Sequence, residues 1–341
     1  MTAPSPDGPR ERHEHVNRTL YRAAAPAVLL VLTLTACGGG NEAEADGGAT
    51  TDGGSTDAGL TGEVLVDGSS TVQPLTAAAG ELFREVESGV NVSVGTSGTG
   101  GGFEVFCQGE TDISNASRPI KDEESQLCAD AGIEFTELRV ATDALTVVVS
   151  AENDFIQCLT TEELATLWGP DAEGQITTWD QVNPEFPAEP IELYGPGTDS
   201  GTFDYFTDEI NGEEGASRAD YNASEDDNVI VQGVSGSANA LGYFGFTYYE
   251  ENAEALKAVE IDSGEGCVAP SAETAADGSY TPLARPLFIY VNNASFADKP
   301  HVAEFVKFYA DQDAEIAEAA QYIPLNDEQA SELVAAVESL G

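Results

Sequence analysis

Val64-Leu65-Val66-Asp67-Gly68-Ser69-Ser70-Thr71-Val72 sets three kinds of residue in a fixed order. An apolar, β-branched run comes first, then a Gly/Ser/Thr turn. Next comes a segment with apolar residues at Val72, Leu75, Ala79, Leu82, Phe83 and Val86. The run reads as a strand and the spacing after the turn as a helix. The pattern recurs twice. Val90, Val92 and Val94 alternate into Gly95-Thr96-Ser97-Gly98-Thr99-Gly100-Gly101-Gly102, and Phe103 and Phe106 suit a helix after it. Ile191 to Tyr194 leads into Gly197-Thr198-Asp199-Ser200-Gly201-Thr202-Phe203, with Phe206 and Ile210 continuing the helical face. The start of a helix leaves N–H groups unpaired and carries partial positive charge. Three such turns, dense in hydroxyls, point to a cleft for a small dehydrated oxyanion.

The rest of the chain keeps the alternation. Ala144 to Ser150 is a continuous apolar strand, and Ile230–Val231, Leu241 to Phe246 and Leu287 to Val291 read as three more. Helices are expected over residues 122–131, ending at Gly132, and after a Thr160 or Thr161 cap, carrying Leu164, Leu167 and Trp168. Pro300 opens another, and Asn326 to Gln329 has the form of a capping box for the last. The class is α/β, and the three turns occupy the carboxyl ends of strands, where such sheets bind ligands.

Residues 1–36 read as a leader. Arg10, Arg12, Arg18 and Arg22 precede an apolar run from Ala23 to Leu34, which ends in Leu34-Thr35-Ala36-Cys37. This is the form of a lipoprotein signal, with Cys37 lipidated at the mature N-terminus. Residues 37–60 are small and polar and read as a flexible linker. About 280 residues remain, enough for two lobes. Cys107, Cys128, Cys158 and Cys267 are an even set in an exported chain and suggest two disulfides, Cys107–Cys128 being favoured by proximity. Zinc is disfavoured, since no C-x-x-C occurs and His301 is the one histidine beyond the leader.

The chain of 341 residues has 13 Lys and Arg against 61 Asp and Glu, a net charge of −48. That excludes nucleic acid as a partner. It also repels anions at long range, but salt screens this beyond about 8–10 Å, and local N–H donors act at contact distance. No Lys follows the second turn, so the Walker pattern fails, and Phe103 replaces the last Gly of the dinucleotide pattern. Ser200 is not in a G-x-S-x-G elbow.

The order and spacing of several motifs over about residues 62–330 resemble the phosphate-binding lipoproteins of bacterial ABC-type phosphate importers, cluster-2 periplasmic-type binding proteins. These motifs are Gly68-Ser69-Ser70-Thr71-Val72, Gly95 to Phe103, Asp112-Ile113-Ser114-Asn115-Ala116-Ser117-Arg118, Leu164 to Trp168 with Ile176-Thr177-Thr178-Trp179, Asp199-Ser200-Gly201-Thr202, and Ala240-Leu241-Gly242-Tyr243. The resemblance implies a two-lobe clamshell, with residues 61–143 and 247–341 in lobe I and 144–246 in lobe II. Hinges would lie near Asp143 to Val149 and Gly242 to Phe246. It further implies a monomeric receptor rather than an enzyme, without cofactor or metal, held to the outer face of the membrane by its lipid (palmitate) and docking on the membrane subunits of the importer.

Carried over by position, the ligand contacts are Ser70, Thr71, Ser97, Ser200, Gly201 and Thr202. The family pattern has an Asp after the Ala-Ser pair and an Arg before the third turn. Here Arg118 holds the first position and Tyr194-Gly195-Pro196-Gly197 has no Arg, so Arg118 is expected to fork onto two ligand oxygens. Asp199 is the first choice to accept the phosphate proton, or it caps the next helix; Asp143 is the second. Arg285, before Pro286, reads as structural. The alternatives are a receptor for another tetrahedral oxyanion such as sulfate, or a secreted phosphatase-like hydrolase using the same pocket.

Overall fold

The computed structural model describes residues 59–198 and 200–341. The expected signal peptide, the lipidation site Cys37, the linker up to residue 58, and Asp199 lie outside the described residues. The chain runs β1 (Gly62–Gly68), α1 (Gln73–Val86), β2 (Val90–Val94), α2 (Gly98–Phe106), β3 (Ile113–Ala116), α3 (Asp122–Ala131) and β4 (Phe135–Ser150). It continues through β5 (Cys158–Thr160), α4 (Thr161–Trp168), β6 (Glu192–Gly195), α5 (Gly201–Asn211), β7 (Asn222–Ala223), α6 (Asp227–Ser235), β8 (Ala240–Gly245) and α7 (Phe246–Asn252). The last part holds β9 (Leu256–Ala258), β10 (Glu260–Asp262), β11 (Cys267–Val268), α8 (Ala272–Ala276), β12 (Ala284–Asn292), α9 (Asn293–Asp298), α10 (Pro300–Asp311), α11 (Asp313–Ala319) and α12 (Asp327–Glu338).

Nine strands form one mixed sheet in the order β2-β1-β3-β12-β4-β8-β6-β7, with β9 also on β4; β11, β10 and β5 form a small second sheet. The long strand β4 organises the large sheet. Its first part pairs antiparallel with β12, from Asn292↔Phe135 to Ala284↔Ala144, and its second part pairs with β8 from Leu145↔Gly245 onward. Side chains alternate across a strand, and β12 shows the result. Leu287, Ile289 and Val291 enter a core with α1 and α10, while Phe288 and Tyr290 enter another with Phe103, Phe106 and the Cys107–Cys128 bond. Beyond the crossing, Leu145, Val147 and Val149 share a separate core with Trp168, Trp179, Phe206 and Tyr243. Two packed bodies thus meet where β4 passes from β12 to β8, as a two-lobe α/β clamshell requires.

The local signals explain the elements. Asn326 accepts from the N–H groups of Glu328 and Gln329 at 3.1 and 2.9 Å, and Gln329 reaches back to the Asn326 N–H, completing the capping box. Thr160, one of the two expected caps, does the same with Glu163. Gly132 stops α3 in the left-handed conformation, φ 75°. Cys107 is bonded to Cys128 and Cys158 to Cys267.

Two expectations differ from what is found. Ile230–Val231 is helical, not a strand. Asp226 accepts from the Asn228 N–H at 3.0 Å and starts α6, whose buried face is Ile230, Val231 and Val234. Residues 256–268 and 280–283 pack with the second body rather than the first, while α8 between them meets the first, Gln329 Nε2 donating to Ala276 O at 3.1 Å. β9 pairs with the far end of β4, β10 with β5, and Val259, Ile261, Tyr280 and Leu283 enter the core around Trp168. The chain also meets the crossing at the start of β12, where Leu145 N donates to Leu283 O at 2.8 Å.

Candidate functional site

Three helices begin on one cleft. Helix α1 follows the first turn, α2 starts at Gly98 and α5 at Gly201. Among the described residues, the N–H groups of Ser70 and Thr71 have no protein acceptor. The first two turns are fastened together. Asp67 Oδ1 accepts from Gly68 N at 2.7 Å and from Ser97 N at 2.9 Å. A Cβ on Gly102 would lie 2.5 Å from Gly68 Cα, so only glycine lets α2 approach the first turn this closely. The third turn comes from the other body. A Cβ on Gly201 would sit 3.3 Å from Thr71 Oγ1, so the first and third turns touch across the cleft.

A cavity of about 530 Å³ opens beside this contact, lined by Ser69, Ser70 and Thr71, by Gly98, Thr99 and Gly100, by Ser117 and Arg118, and by Gly201, Tyr205 and Arg285. A second, of about 200 Å³, shares Ser70, Thr71 and Gly201 and adds Asp143, Thr202, Asp227 and Tyr322. Of the residues expected from sequence, Ser70, Thr71, Arg118 and Gly201 line the larger cavity and Thr202 the smaller. Ser200 caps α5, accepting from Thr202 N at 3.2 Å. Ser97 is exposed at the start of α2, with its N–H taken by Asp67; two residues on, Thr99 lines the cavity, 3.1 Å from the Ser117 hydroxyl.

Arg118 stands at the cavity, but its fork is taken. Its Nη1 and Nη2 donate to the two oxygens of Glu124 at 2.8 and 2.7 Å. Glu124 also accepts from Lys121 N at 2.9 Å as the cap of α3. This bonding raises the Arg118 pKa; burial pushes Glu124 up, and its bonds to Arg118 and Lys121 outweigh that and lower it. The fork expected to meet the ligand is instead taken by a carboxylate of the protein, Glu124, on the helix that starts four residues after Arg118.

Arg285, read from sequence as structural, is the cation embedded in the cleft. Its Nη2 donates to Thr71 Oγ1 at 3.1 Å and its Nε to Asp143 Oδ2 at 3.3 Å. Its Cζ lies 3.6 Å from the centroid of the Tyr205 ring. Among the described residues its Nη1 has no hydrogen-bond partner. A guanidinium can stack by its face and still donate by its edge. Asp143 is buried, and burial raises its pKa against the opposing pull of Arg285. The signal that could have singled out Arg285 is scarcity: with 13 basic residues in the chain, an arginine opening an apolar strand is unusual.

The mouth of the larger cavity is acidic. Asp204, Asp208 and Glu209 of α5 and Glu214 line it opposite Arg118 and Lys121. Burial, then neighbouring carboxylates, raise Asp204 and Glu209, with Arg285 opposing. His301 is away from the cleft, with Nε2 3.1 Å from Glu63 O.

The sequence matches the PBP superfamily domain over residues 47–313. It is 47% identical to protein SphX of Synechocystis over 309 residues, 91% of this chain and 87% of the relative. It is 42% identical over 296 residues to the phosphate-binding protein PstS of Staphylococcus saprophyticus, 86% of each chain. Among solved structures, a possible phosphate binding protein from Planctomyces limnophilus superposes with a TM-score of 0.78 at 42% identity, covering 82% of this chain and 99% of that one.

Proposed function

Because the chain belongs to the PBP superfamily, and relatives matched over most of their length are phosphate-binding proteins, we propose that it binds inorganic phosphate in the cleft between its lobes and delivers it to an ABC-type importer. The observation that carries this reading is the contact of Thr71 with Gly201, which sets helix starts from both lobes around one cavity holding Arg285. Helix starts favour a dehydrated anion, and a partly buried guanidinium adds one full charge. The donors in this reading are the N–H groups and hydroxyls of Ser70 and Thr71, Thr99 and Ser117 beside them, and Gly201 and Thr202 from the second lobe. Ser97 and Ser200 shape their turns rather than touch the ligand. Asp143, held by Arg285, accepts the proton that phosphate keeps near neutral pH and sulfate lacks.

The lobes in this reading are residues 61–143 with 284–341, and 144–283. Closure adds the donors of α5 to those of the first lobe, so the ligand favours the closed state by contacts made only there. The chain acts as a receptor and not as a hydrolase; His301 lies outside the cleft, which supports this. Cys37 carries the lipid, the chain works as a monomer on the outer face of the membrane, and the closed form docks on the importer's membrane subunits. Titration calorimetry with phosphate, arsenate and sulfate, beside a turnover assay with an aryl phosphate, tests the reading. Saturable phosphate binding without turnover is expected. Metal-dependent hydrolysis, or sulfate bound as tightly as phosphate, overturns it.

A further inference from the structure

The partners of Arg285 do not travel together. Asp143 is its direct neighbour across the β12–β4 ladder, and Thr71 follows β1 on the same side of the crossing. Tyr205 sits on α5, whose first residue is Gly201, and its ring belongs to the core of the second body. Its hydroxyl donates to Pro282 O at 2.6 Å, before the crossing, which fixes the ring on that side. Arg285 begins just after the crossing, where Leu145 N meets Leu283 O. A rotation there would leave Arg285 with Asp143 and Thr71 and would carry the Tyr205 ring off the guanidinium.

We propose that Tyr205 is a positioning residue for the anion-binding cation. Brought in by the second lobe, its ring covers one face of Arg285 when the lobes shut. It removes water from that face and holds the free edge of the guanidinium toward the first and third turns. This rests on the phosphate reading above, in which Arg285 meets the anion. The ring attracts the cation through its negative face, and the stack leaves the in-plane N–H groups free to donate. Lobe closure and placement of the cation are then one event.

Replacing Tyr205 by Phe and by Phe rings carrying successively more fluorine tests this, because fluorine drains the face of the ring with little change of size. Phosphate affinity is read by calorimetry, and folding by thermal melts. Tyr205→Phe binds phosphate within about threefold of wild type, having lost one hydroxyl hydrogen bond. Affinity then falls stepwise with fluorination, by about tenfold at the end of the series. The slope vanishes in the Arg285→Gln background. A flat series, or an equal slope without Arg285, overturns the proposal and leaves Tyr205 as core filling. Should Tyr205→Phe not fold, paired spin labels on the two lobes of the Arg285→Gln protein decide instead: phosphate-driven shortening unchanged from wild type overturns the proposal. Wild type that gives no phosphate isotherm sinks the underlying reading, and that outcome is distinct from a flat series with wild-type binding intact.

Discussion

Arg285 and Asp143 stand opposite each other across the β12–β4 ladder, Nε to Oδ2 3.3 Å, one register step from the Ala284↔Ala144 pair at the crossing. The pair is mostly buried, with side chains 18% and 9% exposed. Arg118 and Glu124, by contrast, pair at the rim with 32% and 17% exposure. The two arginines therefore differ in what their removal costs.

Arg285→Gln is expected to weaken phosphate binding by about 2–5 kcal/mol, the range for truncating one partner of a buried charged pair. Arg118→Gln is expected to cost less than about 1 kcal/mol, because Glu124 already compensates its charge at an exposed site. Calorimetry on the two variants decides; the reverse order of losses returns the ligand-binding role to Arg118.

Asp143 gives a pH signature. Burial raises its folded pKa, so on acidification it takes up a proton above the usual ~3.9 of aspartate, which would end its proposed role as acceptor of the ligand's proton. Phosphate affinity should fall as pH drops, with a midpoint above that value, and Asp143→Asn should lose the step. The same variant should weaken phosphate by about tenfold or more while sparing sulfate, which has no proton to be accepted. Equal losses for both anions would move the acceptor elsewhere.

Gly102→Ala pushes a methyl to 2.5 Å from Gly68 Cα, backbone that cannot step aside cheaply. A destabilisation of about 1–3 kcal/mol is expected from overpacking, together with weaker phosphate binding, because the first turn must shift. Gly100→Ala is the control: its Cβ would find only Glu124 Oε1 at 3.8 Å and Arg118 Nη2 at 3.9 Å. Melting curves and phosphate titrations of the two should diverge; matching behaviour would mean that the first turn yields without cost.

Asp227, on the wall of the smaller cavity, has its pKa raised to about 6 by burial, then by Asp226 and Glu225. Between the ordinary 3.8 and about 6, the folded chain holds a proton that the unfolded chain has lost. Stability from this group is thus present at low pH and lost as pH rises through that window. Asp227→Asn should melt higher than wild type near pH 7, with a margin that shrinks toward about pH 4. A margin independent of pH would place the titration elsewhere.

What could be read from the residues is what is local. Each anion turn is announced by its own strand before and helix after, within about a dozen residues, so their chemistry shows without tertiary knowledge. The Asn326 and Gly132 signals are equally short-range. The start of α2 is not marked in the sequence: it falls at Gly98, which puts Ser97 at the N-cap position and Thr99 on the cavity. Arg285 was hidden because its partners are remote in sequence, Thr71 by 214 positions and Asp143 by 142. Between Ala284 and Pro286 it looks like the edge of an apolar strand. Residues 256–283 resisted for the same reason: β10 with β5 and Cys158 with Cys267 are long-range pairings. Ile230–Val231 looks like a strand because β-branched pairs favour one, yet Asp226 and the spacing to Val234 made a helix.

Asp67 joins the first turn to the second through two backbone N–H groups, and both turns belong to the lobe that also holds Arg285 and Asp143. In the proposed reading, half of the anion's shell is thus joined within one lobe. In the proposed receptor, capture would have a direction: phosphate would land on the prebuilt half, the helix carrying Gly201 would swing in second, and escape would begin with that same helix.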